Sequence, residues 1–149
     1  KQRNKFLEKE LKEFSILFLI INNLDIFRNN VELISEVMFT SNLMTEFKQK
    51  LIDYLLSEKF FDRKKLKLED FDVKFKDIIN LINTNAPVKI ITKNKNEKEI
   101  ITMFTEIISE IKKIDLQKKI ESLEDKVSLN LDEKLYSELL SLRNQLKGG

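Results

Sequence analysis

Apolar residues recur every three or four positions along most of this chain, the spacing that lines one face of an α-helix. Lys5–Asn22 predicts the first helix, with Leu7, Leu11, Phe14, Phe18 and Ile21 as its stripe. Ile16, Leu17, Leu19 and Ile20 fill the other sides, so its second half should be enclosed by several neighbours. Asn22-Asn23 ends it, a short turn follows at Leu24–Phe27, and Asn29-Asn30 caps a helix over Val31–Phe39. Thr40-Ser41 breaks the chain before Asn42–Glu58, whose apolar face is Leu43, Phe47, Leu51, Ile52, Leu55 and Leu56. Lys59–Lys67 reads as a basic loop. Asp70 or Asp72 then starts a helix to Asn83 carrying Phe71, Phe75, Ile78, Ile79 and Ile82. Asn83–Ala86 with Pro87 is a loop, and Val88–Thr92 a connector.

The pattern over Glu97–Lys147 differs. Asn96 and Glu99 form a capping box that opens a long helix. Ile100, Phe104, Ile107, Ile111 and Ile114 lie within about 40° of one line down that helix. Leu116, Ile120, Leu123 and Val127 keep the rhythm but sit roughly 170° around it. A helix packed on one core has no reason to change sides. Glu97–Val127 would also reach about 45 Å at 1.5 Å per residue, against about 40 Å for a compact globule of this length. The helix is expected to bend or project, with a hinge near Lys112–Leu116. Ser128-Leu129 then serves as a tight turn, and Asn130 with Glu133 caps a last helix. Its stripe, Leu131, Leu135, Leu139, Leu142 and Leu146, falls within an arc of about 80°. That stripe is the natural mate of the flipped face.

The expectation is therefore an all-α chain: a helical bundle over 1–113, and a long, bent or hinged helix leading into a projecting C-terminal helical hairpin over 114–149. The bundle core should contain Leu11, Phe14, Phe18, Ile21, Phe39, Phe47, Leu51, Leu55, Phe75, Ile79, Phe104, Ile107 and Ile111.

Composition narrows the chemistry. The 149 residues are 42% hydrophobic and 35% charged, with net charge +2, which gives no strong attraction to nucleic acid or an anionic membrane. With no cysteine and no histidine, the chain has no disulfide, no thiolate or imidazole metal ligand and no His- or Cys-based catalysis. Both glycines are the last two residues, so no Gly-rich phosphate loop exists, and no cofactor is expected. The longest apolar run, Ile16–Ile21, is far short of the roughly 20 residues that cross a bilayer. No signal-peptide pattern is present, and a cytoplasmic location is expected. The start at Lys1 rather than Met is expected of a segment of a longer protein.

Asp70 and Asp72 sit at a helix start, where carboxylates complement the dipole, and this outweighs a metal or acid–base role. Lys64, Lys65 and Lys67, then Lys93, Lys95 and Lys98, then Lys112, Lys113, Lys118 and Lys119 form basic clusters. The last is interleaved with Glu110, Asp115 and Glu121, and none carries aromatic residues for base stacking. Solvated helix faces explain them, and direct nucleic-acid binding is not expected. One face lacks such an explanation. With the leucine stripe turned inward, Tyr136 and Leu140 project from the other side of the last helix, flanked by Arg143 and Lys147. A two-helix hairpin has too little volume to bury both faces, and Tyr and Arg are typical interface anchors. These four residues are the candidate partner-binding site, and Tyr136, Leu140 and Arg143 are expected to have no intramolecular task.

The order of features resembles the C-terminal helicase-interaction domain of the bacterial replicative DNA primase. Glu13-Phe-Ser-Ile-Leu-Phe-Leu-Ile-Ile-Asn-Asn-Leu-Asp-Ile-Phe27 is similar to that family's opening helix, turn and short second helix, with Asn23 and Leu24 where His-Pro is usual. Glu32, Phe39, Ser41, Leu43 and Lys50-Leu-Ile-Asp-Tyr-Leu-Leu56 follow in the same order. Asp132–Leu146 is similar to the terminal helix of alphaproteobacterial members. The resemblance implies a non-catalytic domain whose bundle modulates the replicative DNA helicase and whose hairpin docks on it, without a small-molecule substrate or membrane. The parent protein would synthesise RNA primers during DNA replication. Two other readings fit the pattern: the N-terminal domain of the replicative helicase itself, and a helical DNA-binding module.

Overall fold

The computed structural model describes residues 7–57, 71–86, 95–130 and 132–148. The chain is all-α: among the described residues there are seven helices and no strand. These are α1 (Glu8–Ile21), α2 (Leu24–Arg28), α3 (Val31–Ser35), α4 (Asn42–Leu56), α5 (Val73–Asn85), α6 (Glu97–Leu129) and α7 (Glu133–Gly148). Two compact units divide the chain within α6, Lys1–Ile107 and Ile108–Gly149. The expected loops at Lys59–Lys67 and Pro87, the connector Val88–Thr92, and Asp70 and Leu131 lie outside the described residues.

In the first unit α1 is the central element, packed against α2 and α5. Glu13 through Ile20 are all buried, as a helix apolar on every side requires. At its start the Leu7 N–H donates to the Glu10 carboxylate at 3.0 Å. Asn22 and Asn23 close the other end, their side-chain amides donating to the carbonyls of Phe18 and Leu19, at 2.9 Å each. The segment read as a turn at Leu24–Phe27 is the short helix α2, because Leu24 and Phe27 both point into the core. Asn30 stands at the start of α3 as expected, its carbonyl accepting the Leu33 N–H at 3.0 Å, but its side chain serves α2 instead, the amide donating to Ile26 O at 2.8 Å.

Helix α3 ends at Ser35, not Phe39. Two long-range contacts hold the chain that follows in non-helical form. The Lys48 ammonium donates to the carbonyls of Ser35 at 3.2 Å and Val37 at 2.9 Å. The carboxylate of Glu13, itself buried, accepts the Thr40 N–H at 3.0 Å and the Thr40 hydroxyl at 3.3 Å. Phe39 is consequently half-buried rather than a core residue, as are Leu11 and Ile21. The other ten expected core residues are buried.

Ser41 caps α4, accepting the Met44 N–H at 3.3 Å. Its buried face is Met44, Phe47, Leu51, Ile52, Tyr54 and Leu55, whereas Leu43 and Leu56 are exposed. The α4 rings interlock with Phe75 of α5 and with Phe71 just before it: Phe47 lies 5.4 Å from Phe75 and 5.7 Å from Phe71, and Tyr54 5.7 Å from Phe71. Asp72 occupies the start of α5 without a side-chain cap bond, and α5 runs to Asn85, past the loop expected from Asn83. Asn85 ends it by donating to Leu81 O at 3.0 Å. The capping box of α6 forms as the spacing predicts, with Asn96 N–H to Glu99 Oε1 at 3.1 Å and Glu99 N–H to Asn96 Oδ1 at 2.8 Å. Ile100, Phe104 and Ile107 are buried, the Phe104 ring 5.0 Å from Phe27.

Candidate functional site

The second unit is built on the change of face along α6. Ile111 is the last buried residue of the first stripe, and Ile120 and Leu123, from the flipped one, are buried in turn. The helix runs unbroken through Lys112–Leu116. Ile120, Leu123 and Leu139 form a buried cluster, with Leu116, Val127, Leu135, Leu142 and Leu146 packed against it half-buried. The four described leucines of the last stripe therefore all meet the flipped face.

The junction differs in detail from the expected turn. Ser128 and Leu129 belong to α6: the Ser128 hydroxyl donates back to Asp125 O at 2.9 Å, and the Asn130 N–H reaches Lys126 O at 3.0 Å. The Asn130 backbone thus finishes α6. Asp132 caps α7 instead, its carboxylate accepting the Lys134 N–H at 2.8 Å.

With the leucines turned inward, Tyr136 and Leu140 stay on the outer side, 50% and 41% exposed. Lys147 is exposed in the last turn. Arg143 corrects an expectation. Its guanidinium donates to the Glu124 carboxylate at 2.5 Å, so it has an intramolecular task, tying α7 to α6. Both side chains remain more than two-fifths exposed, which keeps the pair at the edge of the face. Pattern reading missed Glu124, because the partner of Arg143 depends on the rotational setting of two helices. It also missed a shallow cavity of about 260 Å³ lined by Val127, Asp132, Glu133 and Tyr136. The i, i+3 spacing of Glu133 and Tyr136 is the local signal that bears on it.

The face offers an aromatic ring, an aliphatic side chain and charges at both ends, the materials of a docking surface. Among the described residues no group of three or more acidic side chains could hold a metal ion. None of the described helices is long and apolar enough to cross a membrane. Lys112, Lys113, Lys118 and Lys119 are exposed on α6, and Lys95 pairs with Glu99 at 3.7 Å. Lys64, Lys65, Lys67 and Lys93 lie outside the described residues. No protein-family model, curated protein or solved structure matches the chain.

Proposed function

We propose that this chain is the helicase-interaction domain of a bacterial DNA primase, a non-catalytic cytoplasmic module that engages the replicative DNA helicase through a C-terminal helical hairpin. The sequence resemblance supports the reading, and one structural observation carries it. Tyr136 and Leu140 stand one helical turn apart and exposed on α7, while Leu135, Leu139, Leu142 and Leu146 satisfy its inner face. An aromatic and an aliphatic residue at i, i+4, with no core to fill, suit insertion into an apolar groove of a partner.

The test is binding of the chain to the replicative helicase of the same organism, with and without the Tyr136→Ala/Leu140→Ala double substitution. Burial of the two side chains contributes about 1.5–3 kcal/mol each, so the double variant should bind at least about tenfold more weakly, a 1.4 kcal/mol effect. Its helical circular dichroism and melting should stay close to those of the parent chain. Wild-type protein that does not bind the helicase, or a stable double variant that binds normally, refutes the proposal.

A further inference from the structure

The outer face of α7 has a symmetry that partner binding does not require. Glu133 stands seven residues before Leu140 and Lys147 seven after it. Seven residues is two turns less about 20°, so all three lie on one line down the helix. They are exposed, with Tyr136 beside them. The line reads acid, aromatic, aliphatic, base. Turned end for end, such a line complements itself.

We infer that α7 pairs antiparallel with α7 of a second copy of this chain, about a two-fold axis at Leu140. The arrangement is isologous, the same patch meeting itself. Leu140 packs against Leu140 of the other copy. Glu133 of each copy then lies level with Lys147 of the other, about 10.5 Å from the axis on either side at 1.5 Å per residue. Tyr136 covers the apolar centre between them. Charge complementarity selects this occupant. A parallel pairing sets Glu133 against Glu133 and Lys147 against Lys147, and like charges at both ends oppose it.

The face is small. α7 has 16 residues and a length of about 24 Å, well under the roughly 800 Å² per partner of a standard stable interface. The association is therefore transient, with a dissociation constant on the order of 0.1–1 mM. It does not rest on the helicase reading, but it uses the same face, so a partner docked there and a second copy exclude each other.

The experiment is sedimentation equilibrium of the 149-residue chain, up to roughly 1 mM, a ceiling set by that dissociation constant. Wild type, Glu133→Lys, Lys147→Glu and an equimolar mixture of the two variants are compared. Each variant alone sets like charges at both ends of the pair and should remain monomeric. The mixture restores opposite charges at both ends and should associate at least as well as wild type. That recovery also shows both variants folded. Wild type that stays monomeric, a single variant that associates like wild type, or a mixture no better than its components overturns the inference. Failure of the wild-type chain to bind the helicase refutes the proposed function and leaves this result standing.

Discussion

Leu139 tests whether the second unit has a core of its own. It is 2% exposed and is the one residue of α7 in the buried cluster, facing Ile120 and Leu123. Leu139→Ala removes its transfer free energy and leaves a cavity, a loss of about 2.7–5 kcal/mol at fully enclosed sites. Here the five surrounding residues are only half-buried and can close in, so the low end, about 2.7–3 kcal/mol, applies. A unit spanning Ile108–Gly149 has little reserve against that, since cores of this size rarely supply more than about 3–5 kcal/mol. The substitution should bring the unit close to its unfolding midpoint. Native-state hydrogen exchange reads the effect directly. Amides of Lys118–Val127 and of Tyr136–Leu146 should exchange about 100-fold faster, the equivalent of roughly 2.7 kcal/mol. The slowest amides of α1 and α4 should keep their rates. Equal acceleration in α1 and α4 would show that the chain opens as one cooperative body. Unchanged exchange in α7 would show that Leu139 is not its anchor.

Three further outcomes follow from the hydrogen bonds. Glu13→Ala removes the acceptor of the Thr40 N–H and hydroxyl and should cost about 1–3 kcal/mol in urea titration, the range for hydrogen bonds to a charged group; a loss under about 0.5 kcal/mol refutes the role of the clamp. Asp132→Ala should cost about 1 kcal/mol through loss of the α7 cap, whereas Asn130→Ala should cost less, and the reverse order in thermal melts would restore Asn130 as the cap. The Lys74 ammonium is held above its usual 10.5, chiefly by its hydrogen bond to Glu46. A raised folded value means that the contribution of this pair is complete at neutral pH and fades only as pH rises through it, so the stability difference between wild type and Lys74→Met should stay flat from about pH 6 to 9; a difference that changes within that window refutes the assignment.

Periodicity alone was enough for the all-α class, the long α6, its Asn96–Glu99 cap and the change of face at Ile114–Leu116, because each is a property of one helix and needs no knowledge of its neighbours. The α7 leucine stripe was legible for the same reason. Errors gathered where two local signals competed and a distant contact chose between them. Asn30 and Asn130 each lie between two helices, and carbonyls of the preceding helix take the Asn30 side-chain amide and the Asn130 backbone N–H, so neither supplies the side-chain cap that spacing suggests. Nothing near Phe39 in the chain says that its segment leaves the helix; Glu13 and Lys48, far off in sequence, hold it. The same holds for the candidate face. That Tyr136 and Leu140 lie opposite the leucines follows from counting residues. That Arg143 is tied to Glu124, and that Val127 and Tyr136 border one cavity, depends on how α6 and α7 are rotated against each other. That rotation is set by the packing of Ile120, Leu123 and Leu139, a property of neither helix alone.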